Sequence, residues 1–180
     1  MAALCLSGGG ALGALQVGML RVLTEERGFF WNRIAGVSVG AINGAFLSQF
    51  PATIEGAIAG AKALEKLWRE QLPDSRAVYI SDVGDPSRFL TTGGMYDTEP
   101  LRKLVTSHWD FSKYSRSGVE LSVGAVSFRT GDYVVVSPEN AAFPQWIMAS
   151  ACFPCAFPPV YIDNQPWLDG GVKHIGPLFE

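Results

Sequence analysis

The sequence has little of several features that mark particular classes of protein. Only 17% of its 180 residues are charged, the formal net charge is −3, and no cluster of lysine or arginine suggests a nucleic-acid-binding surface. No apolar run approaches the roughly 20 residues that a membrane-spanning helix requires. Three cysteines, an odd number, argue against a disulfide framework and favour a reducing compartment. The first residues resemble no secretory leader, so the sequence predicts a cytoplasmic protein.

The remaining composition is that of a globular domain. Hydrophobic residues make up 48% of the chain, which is long enough to bury a core, so residues 1–180 are predicted to form a single domain. Cys152 and Cys155 form one C-x-x-C pair. Because no second pair and no histidines at ligand spacing accompany it, we predict no metal site and no cofactor.

The first motif is a glycine-rich loop between a predicted strand and a predicted helix. Residues 2–7 are apolar, as expected of a strand buried on both faces of a parallel sheet. The helix then carries an apolar stripe that comprises Leu15, Met19, Leu20, Val22 and Leu23. The loop between them contains Gly8, Gly9, Gly10, Ala11 and Gly13. Backbone N–H groups at such a helix N-terminus can hold an anion or a developing oxyanion.

The same loop allows other interpretations. Gly8, Gly10 and Gly13 match the G-x-G-x-x-G pattern of dinucleotide-binding proteins, which would make the chain a phosphate- or nucleotide-binding module without catalysis. A dinucleotide site needs an acidic residue after the second strand, and a second glycine-bounded turn stands there instead. A purely structural glycine turn is the plainest alternative.

The second motif places a serine at a sharp turn. Residues 33–37 are predicted to form a short buried strand and residues 41–47 a helix of small residues, so Ser38 falls where the chain reverses. Gly36 and Gly40 leave room for that reversal and allow a strained serine backbone with an exposed hydroxyl. The pattern predicts a nucleophile, and a serine that merely caps the helix is the alternative.

The rest of the chain predicts further helices and strands. Residues 53–70 are predicted to be a helix with a core-packing role only, and residues 72–94 a loop or lid. A helix with a Thr98 cap follows, then a hairpin over residues 120–128 and 132–137. Residues 143–151 are predicted to be a short helix or turn, and an apolar strand leads to Asp169.

A serine hydroxyl needs a neighbouring base, and the sequence offers two solutions. Asp169 precedes Gly170 and Gly171, so it can approach another backbone closely, and partial burial would raise its affinity for a proton. Alternatively, Ser38, Asp169 and His174 form a triad, although the aspartate and histidine are unusually close in sequence. A plain Asp-Gly turn is the non-catalytic interpretation.

Four blocks, in this order, resemble the patatin-like phospholipase family. They are residues 8–13, residues 36–40, residues 149–154 with 157–160, and residues 169–171. The resemblance implies an α/β fold, three-layer α/β/α with a mainly parallel central sheet. It also implies a Ser-Asp dyad without histidine, which hydrolyses acyl esters of lipids.

The resemblance also implies roles for single residues. Ser38 would be the acylated nucleophile and Asp169 its base. The N–H groups of Gly9 and Gly10 would form the oxyanion hole, assisted by Gly8 or Ala11. The implied partner is a lipid or ester substrate, with peripheral membrane contact through that substrate. We expect the apolar Phe/Pro-rich stretch after residue 152 to line a pocket for the acyl chain.

The sequence departs from the family pattern at three points. Leu12 stands where the family usually has arginine or lysine, which puts a preference for phospholipid headgroups in doubt. His174 lies where the family commonly has an asparagine before a proline, so we interpret it as a positional variant. The sequence ends at Glu180, earlier than most such domains, and a closing strand or helix is therefore expected to be missing.

Overall fold

The computed structural model describes residues 2–81 and 87–177. The strands form one six-stranded sheet. They are β1 (Ala3–Leu6), β2 (Arg33–Gly36), β3 (Glu120–Ser127), β4 (Tyr133–Val136), β5 (Val160–Ile162) and β6 (Gln165–Asp169). The α-helices in these ranges are α1 (Gly13–Glu25), α2 (Val39–Leu47), α3 (Ile54–Gln71), α4 (Ser87–Thr92), α5 (Glu99–His108), α6 (Phe111–Ser117) and α7 (Phe143–Ser150).

The sheet is mixed, with a parallel part and an antiparallel part. Strands β1, β2 and β3 are parallel neighbours, as the alternation of strand and helix predicts. Strand β3 also pairs antiparallel with β4 and with β6, and β5 pairs antiparallel with β6. The predicted hairpin is confirmed, since β3 and β4 pair across a turn that contains Gly131 at φ 72°.

The first strand is an edge strand, so the expectation that it is buried on both faces is wrong. Among the described strands β1 pairs only with β2, and both Ala3 and Cys5 are exposed, whereas Leu6 is buried. A short apolar run has the same composition at the edge and at the centre of a sheet, so the sequence alone does not show which strands lie beside it.

The core lies between the sheet and the helices. Helix α2 packs directly on the parallel strands, since a Cβ atom built on Gly44 would lie 3.0 Å from Ile34 Cγ2. The largest fully buried side chains of the core include Leu20, Ile34, Leu47, Leu64, Phe143 and Ile147. No helix among the described residues is long and apolar enough to cross a bilayer.

Helices α1 and α3 run antiparallel against each other, and ion pairs join Arg21 to Glu65 and Lys62 to Glu25. Most of the apolar stripe that the sequence shows on α1 does not face the core. Leu15 and Met19 are each 64% exposed. The buried residues of α1 are instead Gly13, Val17, Leu20 and Thr24. Because α1 is apolar around most of its circumference, periodicity alone does not identify its inner face.

Other elements agree with the sequence, with local differences. Thr53 caps α3 as its Oγ1 accepts a hydrogen bond from the N–H group of Gly56. Thr98 makes no side-chain cap for α5, whose first N–H group donates instead to Asp97 Oδ1 at 2.9 Å. Within the predicted loop at 72–94, α4 and a 3₁₀ turn at Ser75–Ala77 are present, and residues 82–86 of that loop lie outside the described residues.

Candidate active site

Ser38 lies at the sharp turn between β2 and α2. Its backbone has φ 57° and ψ −128°, a conformation that only an overdetermined turn holds for a residue with a Cβ atom. Gly40 is required there, since a Cβ atom would lie 2.0 Å from the carbonyl oxygen of Leu6. The Ser38 side chain makes no capping hydrogen bond to α2. The helix-cap interpretation is therefore wrong, and the hydroxyl is left for another role.

The sheet register explains why Asp169 meets this turn. Strand β4 occupies one edge of β3 over residues 123–126, so β2 and β6 share the opposite edge. Gly36 pairs with Val123 and Asp169 pairs with Ala125, two residues further along β3. Two residues of a strand span about 7 Å. Since β2 and β6 run in opposite directions, their C-terminal ends point at each other, and Asp169 lies beside the serine turn.

The Asp169 carboxylate is buried and bonded to the groups around it. It is 3% exposed, and its Oδ1 accepts a hydrogen bond of 2.7 Å from the N–H group of Gly171. The Ser38 side chain lies beside the same carboxylate, and both residues line one cavity. Burial raises the pKa of Asp169 above the usual range of an aspartate, and the nearby Ser38 hydroxyl and the N–H group of Gly171 oppose part of that rise. A partly desolvated carboxylate of this kind is suited to accept a proton from the hydroxyl.

The predicted close approach after Asp169 is also present. A Cβ atom on Gly170 would lie 2.4 Å from the carbonyl oxygen of Gly124 in β3, so the backbone after the aspartate rests directly on the sheet. A side chain at this position would push the end of β6 away from β3.

The glycine loop lies against the serine. A Cβ atom on Gly8 would come within 3.1 Å of Ser38 Cβ. The N–H group of Gly8 donates to the carbonyl of Ile175 at 2.9 Å and is therefore occupied. Among the described residues, the N–H groups of Gly9 and Gly10 have no hydrogen-bond partner, and a 3₁₀ turn at Gly10–Leu12 then leads into α1. Gly9 and Gly10 thus line the same cavity as Ser38 with their N–H groups unpaired.

The buried amide of Asn43, which the sequence analysis missed, holds this loop in place. Its Nδ2 donates to the carbonyl of Gly13 at 3.2 Å and to Gln16 Oε1 at 2.9 Å. Its Oδ1 accepts from Trp68 Nε1 at 2.9 Å. One side chain of α2 thereby ties the start of α1 to α3. An asparagine inside a helix of small apolar residues was the available signal.

Ser150 is a second residue that the sequence analysis did not single out. It is completely buried at the end of α7, and its Oγ accepts a hydrogen bond of 3.0 Å from the N–H group of Ser38. The signal in the sequence was only that Ser150 belongs to one of the four family-like blocks.

Both histidines lie apart from the serine. The ring of His174 packs edge-on against Tyr133 at 4.8 Å and does not line the cavity that contains Ser38. His108 ends α5, with its ring 6.0 Å from that of Phe46, and burial lowers its pKa. No group of three potential metal ligands occurs among the described residues. Cys152 is buried next to Asp169, and burial together with that negative charge raises the pKa of its thiol to about 12.

A cavity of about 1130 Å³ opens at the serine. Ser38, Asp169 and the glycine loop all belong to its lining. The expected contribution of the Phe/Pro-rich stretch is small, because only Phe153 and Phe157 of that stretch line the cavity. Helices α1 and α3 form much of the wall, so the core-only role predicted for α3 is wrong. The lining side chains of these helices include Ala14, Val17, Arg21, Glu65, Trp68, Arg69 and Leu72.

Comparisons with known proteins agree with this fold. No curated protein matches the chain. Among solved structures, VipD from Legionella pneumophila has a similar fold, with a TM-score of 0.52 and 14% sequence identity. The match covers 94% of this chain and 46% of that protein, so the chain spans less than half of its length.

The family comparison covers nearly the whole chain. The sequence profile described as patatin-like phospholipase matches residues 4–178. Together with the fold match, this confirms the predicted α/β class, a three-layer α/β/α fold with a sheet that is parallel at its core. The chain therefore belongs to the patatin-like phospholipase family.

Proposed function

We propose that this chain is a serine acyl hydrolase that cleaves carboxylic esters of lipids. The observation that supports it best is the contact between the Ser38 hydroxyl and the buried Asp169 carboxylate at the end of a large, mainly apolar cavity. Membership of a phospholipase family supports lipid acyl hydrolysis in general. The free N–H groups of Gly9 and Gly10 add the donors that an oxyanion needs.

The proposed reaction has two steps. Asp169 accepts the proton of the Ser38 hydroxyl while the oxygen attacks the ester carbonyl carbon, and the carbonyl oxygen gains negative charge beside Gly9 and Gly10. The alcohol leaves with the proton, and the acyl group remains bonded to Ser38. Asp169 then accepts a proton from water as the water oxygen attacks the acyl carbon, and it passes that proton to Ser38 Oγ as the bond to the acyl group breaks and the acid leaves. The raised pKa of Asp169 favours proton transfer in both steps.

The alternative mechanisms have less support. A triad would need the His174 ring between Ser38 and Asp169, whereas that ring packs against Tyr133 outside the cavity lining. A nucleotide-binding module would need a polar site at the glycine loop. Gly13 instead faces α2, where a Cβ atom would lie 2.3 Å from Val39 Cγ2, and the cavity beside the loop is mainly apolar.

Leu12 supports a substrate without a strict need for an anionic headgroup. It stands at the end of the glycine loop, where many relatives would place a cation, and it is 63% exposed. We propose that the substrate brings the protein to a lipid surface and that residues 1–180 act as one domain. We also keep the cytoplasm as its proposed location, which the three free cysteines favour.

Three variants test the mechanism on p-nitrophenyl esters. Ser38→Ala and Asp169→Asn are each expected to lower kcat/KM by about 10³-fold or more, as loss of a nucleophile or its base does in other hydrolases. His174→Ala is expected to retain activity under the dyad and to lose it under the triad. A fluorophosphonate probe should label Ser38, as mapped by mass spectrometry. Full activity of the Ser38→Ala protein would contradict the proposal.

A further inference from the structure

The cavity continues from the serine as a groove between α1 and α3. On α1 the lining residues Ala14, Gly18 and Arg21 follow one another at helical spacing. On α3 the lining residues Glu65 and Leu72 lie seven positions apart, on the same side of that helix. From Ala14 to Arg21 the helix rises about 10 Å, which is about two helical turns, so the groove is long enough for an alkyl chain rather than for one small group.

The part of the groove nearest the serine is apolar. Ala14, Val17 and Gly18 face it from α1, while Ile42 of α2 and Trp68 of α3 line it nearby. Gly18 has no side chain to fill the groove, and a Cβ atom built on it meets no heavy atom within 4 Å. The space beside Gly18 is therefore open, and Gly18 lines the same cavity as Ser38.

The far part of the groove is charged. Arg21 pairs with Glu65 across the two helices and with Glu25 at 2.9 Å on its own helix, and Glu65 also pairs with Arg69 at 2.9 Å. The Nε atom of Arg21 is buried and has no hydrogen-bond partner among the described residues. An alkyl chain placed over these groups would exclude water from them and offer no hydrogen bond in return, which is unfavourable.

We propose that the acyl chain of the substrate lies along the α1–α3 groove, and that Gly18 and Arg21 determine the chain length accepted. This inference rests on the proposed function. A chain bound at Ser38 passes beside Gly18, because that is where the apolar wall is open, and ends before Arg21, where the wall becomes charged. Short and medium-length saturated chains fit between these two points without disturbing the ion pairs.

The test is a series of p-nitrophenyl esters from butyrate to palmitate with the purified chain. Gly18→Leu fills the open space, so kcat/KM for decanoate should fall by at least about 10-fold, while that for butyrate changes by less than about threefold. Gly18→Ala should give an intermediate loss. Ala59→Leu adds the same side chain on an exposed part of α3 outside the cavity lining and should leave the series unchanged.

A second variant tests the charged end. Arg21→Met replaces the guanidinium by an apolar side chain of similar length, so the preferred ester should become longer than that of the wild type. An equal loss on every ester in Gly18→Leu, or an unchanged optimum in Arg21→Met, would overturn the proposal. Thermal unfolding of each variant shows that a change in turnover does not reflect loss of folded protein.

Binding of free decanoate, measured by calorimetry, separates the two proposals. In the Ser38→Ala protein, which cannot turn over an ester, decanoate should still bind, and Gly18→Leu in that background should weaken binding by at least about 10-fold. If Ser38→Ala keeps its esterase activity, the proposed mechanism is wrong. The calorimetric result then still shows whether the acyl chain binds in the groove. Equal binding with and without Gly18→Leu would show that the chain lies elsewhere.

Discussion

The backbone N–H group of Ser38 donates a hydrogen bond of 3.0 Å to Oγ of Ser150, a residue that is completely buried at the end of α7. The strained serine turn is thus held from a helix that is distant in sequence. The bond uses the Ser38 N–H group, which is then unavailable to an oxyanion, whereas Gly9 and Gly10 keep theirs. This arrangement separates the group that positions the proposed nucleophile from the groups that would stabilise the oxyanion.

Ser150→Ala should therefore impair turnover more than substrate binding. The variant leaves the Ser38 N–H group unpaired, which costs about 1–3 kcal/mol of stability. A displaced nucleophile should lower kcat by about 10²-fold. KM should change little, because Ser150 does not line the cavity.

Ser48→Ala is the matched control for this variant. Ser48 is also completely buried, and its hydroxyl donates to the carbonyl of Ala45 at 3.0 Å at the C-terminal end of α2. The control should lose stability and keep its kcat. If both variants show the same kinetics relative to their folded fraction, Ser150 has only a structural role.

Asp169→Asn should make the protein more stable at neutral pH while it abolishes turnover. The folded-state pKa of Asp169 is raised, mainly by burial, so the folded protein binds this proton more tightly than the unfolded chain does. Its contribution to stability is fully present below the unfolded-state pKa and is lost as pH rises through the folded-state pKa. At pH 7 the buried charge therefore costs stability, and the neutral amide removes that cost.

Thermal unfolding across a pH series measures this effect. The Tm of Asp169→Asn should exceed that of the wild type at pH 7, and the difference should shrink as pH falls into the acid range. The acid limb of kcat/KM for the wild type should lie above the ordinary pKa range of an aspartate. A variant that is less stable than the wild type at every pH would contradict the assigned direction of the pKa shift.

The sequence predicts the serine turn well because its constraints are local. Gly36 is required because its backbone lies against that of Gly40, and Gly40 is required because it lies against the end of β1. The spacing of the two glycines in the sequence reflects the shape of this turn. The hairpin of β3 and β4 is predictable for the same reason, since a short turn joins neighbouring strands.

The meeting of Ser38 and Asp169 depends on an interaction that no local pattern contains. It arises because β2 and β6 pair with successive segments of the same edge of β3. This register is set by pairing between strands that are distant in sequence. Residue chemistry made Asp169 one of two candidate bases for Ser38, and the family resemblance decided between them before the structure. The exposed face of α1 and the contacts of Ser150 and Asn43 were missed because helical periodicity and residue type do not specify the partner across the interface.

Alanine substitutions at two glycines should have opposite effects on stability. In Gly40→Ala the new Cβ atom would lie 2.0 Å from the Leu6 carbonyl oxygen, a backbone atom that cannot move aside cheaply, so the protein should lose at least about 3 kcal/mol. In Gly18→Ala the new methyl group meets nothing within 4 Å at an exposed position in the middle of α1. The free energy of unfolding should therefore rise by up to about 1 kcal/mol. Urea unfolding measures both, and a stable Gly40→Ala protein would contradict the packing of the turn.

Alkylation should distinguish Cys152 from the other two cysteines. Cys152 is buried, its thiol is in contact with the carbonyl of Pro158, and its pKa is raised to about 12, so the reactive thiolate is about 10⁻⁴ of the population at pH 8. Cys5 and Cys155 are exposed. Iodoacetamide at pH 8 should therefore add two groups to the folded chain and three to the chain in urea, as counted by mass spectrometry. Cys155→Ser should lower each count by one, and a folded chain that takes up a third group would show that the wall beside Asp169 is open to reagent.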